Sequence, residues 1–458
     1  MKRLFVRDKQ FYSVLATLTF TLALQNLITF GVNLADNVMV GGYSQAALNG
    51  VAIVNQIQFL LQMVCTGIVN GITVLAAQYW GQRNVPPIRR IFTVGFWIGI
   101  AFAAALTLVG FFAPKWLLSL LTDEPAAITE GAKYLRIVCF TYGLFTVSTL
   151  LLGMLRSVET VKIGFIVSAM SLVVNICLNY CLIQGNLGFP ELGVRGAAIA
   201  TLASRALEFL VVVLYTLFSD RKIRYRLSDL LHWDNTYAKD FFRSGLPLVL
   251  SNTSWGIAMT IQTAIIGRLG EAAISANSIA TTIFQVVSVL VYALASASGV
   301  VIGKTVGEGR IETVKQYAVT LQILYLIVGL ITSLALFSVR NWIVSLYSVT
   351  EESAELARSF ILVLCVTVIG TAYQMSALSG IVSAGGQTRF VLFNDLIFMW
   401  GIVLPVSLLS AFVFKWSSLF TFICLKSDQV LKCAVAVVKV NRFRWIRVLT
   451  RPREQTEE

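Results

Sequence analysis

The sequence predicts an all-α polytopic membrane protein with twelve transmembrane helices, arranged as two six-helix repeats around a central cleft. Composition is the first reason. Hydrophobic residues make up 57% of the 458 residues and charged residues only 13%, about half the charged fraction of an ordinary globular protein. Duplication is the second reason, because the stretch from Gly41 to Ser157 recurs without a gap as Gly267 to Ser383, an offset of 226 positions.

Apolar runs of about 20 residues recur along the chain, and each is long enough to cross a hydrocarbon core roughly 30 Å thick. Six runs lie in each half, separated by loops too short for a soluble core to explain the pattern. We expect helices, in chain order, over residues 12–34, 46–76, 91–113, 130–155, 163–184, 196–218, 245–267, 272–302, 316–338, 356–381, 390–413 and 416–440.

Basic residues concentrate at the amino terminus and in every second loop. The positive-inside rule therefore places both termini in the cytoplasm, as an even number of helices also requires. We expect a multi-pass protein of the plasma membrane that binds no nucleic acid. The residues on the predicted cytoplasmic side are Lys2, Arg3, Arg7, Lys9, Arg83, Arg89, Arg90, Arg156, Lys162, Arg221, Lys222, Arg224, Arg226, Lys239, Arg243, Lys304, Arg310, Lys315, Arg389, Lys426, Lys432, Lys439, Arg442, Arg444, Arg447, Arg451 and Arg453.

The charge pattern and the repeat together predict four segments. They are an N-lobe over 1–218 with helices 1 to 6, a cytoplasmic linker over 219–240, a C-lobe over 241–440 with helices 7 to 12, and a cytoplasmic basic tail over 441–458. The twelfth run contains Lys426, Asp428 and Lys432. Its inner part is alternatively an amphipathic segment that lies along the membrane surface.

A repeat of this kind favours transport. Two like bundles enclose a site near the middle of the membrane, and rocking of one bundle against the other exposes that site to alternate sides.

The sequence has no Walker loop, metal-ligand spacing or nucleophile triad. The Gly-rich string over 299–309 follows no strand, which removes the context of a phosphate-binding loop. We therefore expect neither an enzyme nor a cofactor.

Six local strings resemble the multidrug and toxic compound extrusion (MATE) family. They occur in order on the duplicated frame, and the resemblance covers roughly residues 10 to 450. It implies two six-helix bundles, a central cleft, and export of organic cations or drugs driven by inward Na⁺ or H⁺. The strings are NLADNVMVGG at 33–42, AQYWGQ at 77–82, GMLRS at 153–157, NICLNYCLI at 175–183, GVRGAAIAT at 193–201 and GLP at 245–247.

Asp36 is the only charged residue from Phe11 to Val40. A carboxylate inside a membrane helix costs on the order of 2.5–3.5 kcal/mol at the helix centre, so such groups face a cavity or a partner. Alternatively, helix 1 ends before Asp36, which then caps the outer turn. The family resemblance favours a functional carboxylate, because the N-lobe cation site of the family uses an acid in this motif. The repeat equivalent, Gln262, cannot ionise.

Asn175 and Asn179 are four residues apart and therefore share one face of helix 5. Buried amides either join helices by hydrogen bonds or bind cations, and the residues leave both interpretations open. Members of the family with this site have an acid at the position of Asn179. Hard cations accept neutral oxygens, so we predict an ion-coupling site of Asp36, Asn175, Asn179 and Thr201. Thr201 alternatively bonds back to its own helix.

The second half departs from the family pattern. Trp255 and Ala372 stand where branches of the family with a C-lobe ion site have acids, which puts coupling through that lobe in doubt. Asp395 remains either a proton carrier or an anchor at the basic end of helix 11. We interpret Arg205 and Glu208, three residues apart in helix 6, as a neutralised structural pair.

Aromatic and amide side chains on several helices suit a lipophilic cation through cation–π attraction, although membrane aromatics also serve as packing residues and interfacial anchors. We predict a substrate cleft containing Gln56, Gln58, Trp255, Gln262, Gln285 and Tyr373. The predicted function is a secondary antiporter that acts as a monomer. Two alternatives are a flippase for lipid-linked oligosaccharides, which would need more cations in the helix centres, and a membrane scaffold that transports nothing.

Overall fold

The computed structural model describes residues 6–347 and 349–452, so Lys2, Arg3 and Arg453 of the predicted charge pattern lie outside the described residues. The described chain forms α-helices joined by short connections. The helices are α1 Lys9–Gly41, α2 Gln45–Gly81, α3 Val85–Phe112, α4 Pro114–Ser119, α5 Pro125–Val138, α6 Thr141–Ser157, α7 Lys162–Ile183, α8 Val194–Leu214, α9 Asn235–Ser244, α10 Leu246–Gly267, α11 Glu271–Gly307, α12 Ile311–Val344, α13 Glu351–Met375, α14 Thr388–Leu396, α15 Leu404–Leu408, α16 Ser418–Lys426 and α17 Asp428–Asn441.

All twelve predicted apolar runs are helical, which confirms the fold class. Nine helices among the described residues are long and apolar enough to cross a membrane, or ten if α5 and α6, bent by 55° at their junction, form one span. The other two predicted runs are α10, which carries several polar side chains, and the twelfth run, which is divided at Ser427 into α16 and α17. Short π-helical stretches extend or interrupt the later spans at Ser376–Val382, Ile397–Val403 and Leu409–Val413.

Packing divides the chain into two compact units. Unit 2 consists of Leu24–Ile72 and Pro86–Phe241, whereas unit 1 contains the start of α1, the segment Thr73–Val85 and the chain from Phe242 onward. The two ends of α2 thus belong to different units. The predicted division into lobes, linker and tail remains a prediction.

Each unit has its own apolar core. In unit 2, α2, α5 and α6 contribute Leu61, Leu135 and Tyr142, all fully buried. In unit 1, Phe360 of α13 and Phe422 of α16 stack with ring centroids 4.0 Å apart. Aromatic side chains bury large apolar areas when they pack together. This stacked pair therefore holds α16 against α13.

The carboxyl ends of α2 and α11 cross inside unit 1 at glycines that are equivalent in the repeat. A Cβ atom on Gly81 would overlap the carbonyl oxygen of Lys304, and one on Gly307 would overlap that of Gln78. Only glycine allows two helix backbones to approach this closely. The crossing therefore depends on both glycines.

The segment that follows α17 binds this crossing. The Nε2 atom of Gln78 donates to the carbonyl oxygens of Ala384, at 3.0 Å, and Arg447, at 3.3 Å, while the backbone N–H of Leu449 donates to Gln78 Oε1 at 2.8 Å. Trp445 is fully buried and lies against Gly385, where a Cβ would overlap the indole ring. We call residues 442–451 the carboxyl-terminal strap.

Candidate ion-coupling site

Asp36 lies within α1, because the helix continues to Gly41. The structure therefore does not support the alternative in which helix 1 ends early and Asp36 caps it. The side chain is 9% exposed. Its Oδ1 atom accepts a hydrogen bond from Asn179 Nδ2. A residue of α1 and a residue of α7, 143 positions apart, are thus joined inside unit 2.

The two asparagines of α7 lie on one face, as their spacing predicts. Both are fully buried, and Asn179 Nδ2 also donates to Asn175 Oδ1 at 3.1 Å. The Oδ1 atom of Asn179 is buried and has no hydrogen-bond partner among the described residues. Buried polar atoms almost always have a hydrogen-bond partner. An unpartnered acceptor oxygen next to a carboxylate is an arrangement that a cation or a proton donor would complete.

The fourth predicted residue, Thr201, donates its hydroxyl to the carbonyl oxygen of Ala197 at 3.0 Å. This geometry matches the alternative in which the hydroxyl bonds back to its own helix. Tyr134 of α5, which is buried in the same core, lies near both Thr201 and Asp36. No sequence pattern singles out Tyr134, because a tyrosine within an apolar run is typical of a packing residue.

The positive charge of Arg205 on α8 interacts electrostatically with the Asp36 carboxylate, without a hydrogen bond between the two side chains. Its Nη1 atom binds Glu208 Oε2 at 2.7 Å, so the predicted ion pair on α8 is confirmed. The guanidinium carbon also lies 5.1 Å from the centre of the Phe145 ring. Because Glu208 already pairs with Arg205, the charge of Arg205 does not fully neutralise the Asp36 carboxylate.

A second buried cluster of charges occurs in unit 1. Lys432 Nζ lies 3.0 Å from Asp395 Oδ1 and 3.4 Å from Asp428 Oδ2, and the lysine side chain is only 4% exposed. The hydroxyl of Ser251 donates to Asp395 Oδ2 at 2.5 Å. The sequence singled out Asp395 but not its partner. Two opposite charges four residues apart in an apolar run, Asp428 and Lys432, were the available signal.

The six predicted cleft residues differ in exposure. Gln56, Gln58, Trp255 and Gln285 are exposed or half-buried, which leaves them accessible to a ligand or to lipid. Gln262 is buried and bonded to Met399, whereas the hydroxyl of Tyr373 donates to Gln322 Oε1 at 2.6 Å. Their role in binding substrate remains a prediction.

Comparisons with known proteins agree with this architecture. A model of the MatE family matches residues 21–181 and 247–421, more than half of the chain. A probable multidrug resistance protein NorM from Bacillus cereus is 26% identical over 412 residues, which is 88% of this chain and 89% of that protein. The uncharacterized transporter YisQ of Bacillus subtilis is 23% identical and covers 88% of both chains.

Solved structures show the same fold. A MATE protein in complex with MaL6 superposes with a TM-score of 0.84 at 18% identity, covering 94% of this chain and 96% of that one. A MOP superfamily transporter from Pyrococcus furiosus gives 0.84 at 19% identity and covers 96% of both chains. The fold and the family match define a polytopic membrane transporter. The chain belongs to the MatE family, which confirms the resemblance found in the sequence.

Proposed function

We propose that this protein is a secondary active antiporter that exports organic cations or drugs in exchange for Na⁺ or H⁺, with Asp36 as the residue that binds the ion. The observation that carries the proposal is the buried carboxylate of Asp36, bonded to Asn179, in a helix whose other charged residue is Lys9 at its first position. Ionisable residues inside the membrane are expensive and therefore usually functional. The NorM relatives are probable multidrug resistance proteins, which supports drugs as the substrate class.

Either ion can satisfy the groups at this site. A Na⁺ ion at Asp36 would gain the buried Oδ1 of Asn179 once that amide rotates, and hard cations prefer such oxygens. A proton on Asp36 would instead supply a donor for the same oxygen. Both ions neutralise the carboxylate, and this neutralisation favours release of the organic cation in the outward-open state.

A single ionisable site also limits how the membrane potential contributes. Trp255 and Ala372 supply no acid in the second half, so we propose one ion for each transport cycle. Exchange of one ion for one monovalent organic cation moves no net charge. The potential, worth about 2.3 kcal/mol per charge at 100 mV, then contributes nothing, and the ion gradient alone drives export.

The remaining parts of the proposal concern placement. The protein resides in the plasma membrane with both termini in the cytoplasm, because the basic loops alternate in the sense of the positive-inside rule. It acts as a monomer, since both repeats are present in one chain. Gln56, Gln58, Trp255, Gln262, Gln285 and Tyr373 form the substrate cleft, where the exposed Trp255 can attract a cation through its ring.

Ethidium efflux from proteoliposomes, with Na⁺ and pH gradients imposed separately, tests this function. We expect efflux in at least one gradient and none without a gradient. Movement of ethidium that ignores both gradients would contradict antiport. Absence of ethidium transport together with scrambling of a lipid-linked oligosaccharide would favour the flippase, and absence of any transport would favour the scaffold.

A further inference from the structure

The connection between α8 and α9 has an ordered shape that its own acidic residues maintain. Asp220 Oδ2 accepts the backbone N–H groups of Ile223, at 2.8 Å, and Arg224, at 3.0 Å. Asp229 Oδ2 accepts the backbone N–H of Arg226 at 2.9 Å. Both carboxylates therefore bond to backbone donors inside the connection.

This connection is attached along α3 within unit 2. Arg89 Nε donates to the carbonyl oxygen of Ile223 at 2.8 Å, and Trp97 Nε1 donates to that of Leu230 at 3.0 Å. Between them, the hydroxyls of Thr93 and Tyr225 share a hydrogen bond of 2.8 Å. The Tyr225 hydroxyl is neutral at physiological pH, as in any tyrosine, and burial raises its pKa further, to about 12.

The connection also carries exposed cations and exposed apolar side chains. Arg221, Arg224 and Arg226 are exposed, and no ion pair within the described part of the chain engages them. Leu227 is 63% exposed and Leu231 is 82% exposed. They are the first and last residues of the 3₁₀ segment Leu227–Leu231, and Trp233 beyond them is also exposed.

The length of α3 places this surface near the edge of the bilayer. Its 28 residues span about 42 Å at 1.5 Å per residue, whereas the hydrocarbon core is about 30 Å thick. About 12 Å of the helix must therefore lie outside the core. Arg89 and Arg90 mark its first turns as the outer portion, so the boundary of the core falls about 12 Å from Val85, near Thr93. Trp97 lies about one turn further along the helix, within the interfacial zone where tryptophan is favoured.

We propose that residues 220–233 form a binding surface for anionic phospholipids of the inner leaflet. Arg221, Arg224 and Arg226 meet the headgroup phosphates, while Leu227 and Leu231 enter the acyl boundary. Basic segments beside membrane helices attract anionic lipid, and amphipathic segments bury their apolar side at this depth. A protein partner fits less well, because Trp97 fixes the surface at the level of the membrane.

The test uses the full-length protein with Leu231→Cys labelled by an environment-sensitive fluorophore, in a background where the exposed Cys177 is serine. It is placed in nanodiscs of phosphatidylcholine with increasing phosphatidylglycerol. We expect a blue shift and quenching by brominated lipid as phosphatidylglycerol rises. Arg224→Gln should raise the phosphatidylglycerol fraction at half-maximal shift roughly fivefold, and the triple change of Arg221, Arg224 and Arg226 to Gln should abolish the shift.

A control variant removes the same charge elsewhere, with Lys115, Arg268 and Lys415 changed to Gln. All three are exposed and lie in loops predicted on the other side of the membrane. This variant should behave as the parent does. A label that stays in water in both lipids would overturn the proposal, as would an equal loss of response in the control. The readout does not depend on transport, so it stands apart from the antiport experiment.

Discussion

Gly81 and Gly307 hold equivalent places in the two repeats, and each lies against the backbone of the other's helix. Gly81 packs on the carbonyl of Lys304, whose repeat equivalent is Gln78, and Gly307 packs on the carbonyl of Gln78. Reciprocal contacts of this kind define an interface with two-fold symmetry. Here the two-fold relation joins the carboxyl ends of α2 and α11 within one chain.

Alanine at either glycine should destabilise the crossing. Gly81→Ala and Gly307→Ala each force the same pair of backbones apart, so we predict similar losses of about 1–3 kcal/mol in the free energy of unfolding. Thermal unfolding in detergent measures the change. Gly267→Ala is the control, because a Cβ there meets no atom within 4 Å. Clearly unequal losses would argue against a reciprocal contact.

Asp36→Asn should reach the membrane in normal amount, because removing a buried charge lowers the cost of insertion. The variant should still bind drug but lose export driven by a gradient, since the site no longer carries a charge for an ion to neutralise. Ethidium efflux with Na⁺ and pH gradients checks this, alongside equilibrium binding of ethidium. Export at the wild-type rate in both gradients would refute the mechanism.

The charged cluster of unit 1 should matter for stability and not for coupling. Asp395→Asn keeps an acceptor for Ser251 and leaves Lys432 paired with Asp428, so coupled efflux should persist. Lys432→Met leaves two carboxylates without their cation and should cost on the order of 3 kcal/mol in unfolding free energy. Complete loss of efflux in well-folded Asp395→Asn would move the ion site into this half.

Voltage should have no effect on ethidium export if one ion exchanges for one drug molecule. Proteoliposomes clamped with K⁺ and valinomycin at 0 and about 100 mV should give the same rate at a fixed ion gradient. A neutral drug serves as the comparison. Its exchange for one ion carries one net positive charge inward in each cycle, so the membrane potential should increase its export rate. Equal voltage sensitivity for both drugs would show that more than one ion moves.

Cysteine labelling tests the orientation. A membrane-impermeant maleimide applied to intact cells should miss Ser228→Cys, because the basic loops place that connection in the cytoplasm. Leu120→Cys, in a loop poor in lysine and arginine, should label from outside. Both positions are exposed, so accessibility alone does not separate them. Strong labelling of Ser228→Cys with none at Leu120→Cys would reverse the assigned topology.

Run length was sufficient to predict the helices, because each membrane span must satisfy its own backbone hydrogen bonds. Run length alone does not predict the residues at which the helices end. The first predicted run ends at 34, the width of a bilayer, yet α1 continues to Gly41. That extension places Asp36 inside the helix. Run length also predicts no break at Ser427, where the twelfth run divides into α16 and α17, although the charges of Lys426, Asp428 and Lys432 indicate that its inner part differs from a simple span.

Pairings between distant residues could be predicted only in part. Asn175 and Asn179 share a face by spacing alone, and the family motif connects them with Asp36. The order of the hydrogen bonds, with Asn179 donating to both Asp36 and Asn175, depends on how α1 packs on α7. Lys432 shows the same limit, because nothing in the local sequence selects Asp395, 37 residues away, as its partner.

The carboxyl-terminal strap has a consequence for biosynthesis. Gln78, near the end of the second helix, obtains its partners from Arg447 and Leu449, 369 and 371 residues later. Translation delivers the chain from its amino terminus, and domains fold as they emerge. The end of α2 must therefore wait in the membrane, its glutamine unsatisfied by these groups, until the strap has been synthesised. A nascent chain stopped before residue 447 lacks both partners, so the end of α2 is completed only by a segment that is translated more than 360 residues later.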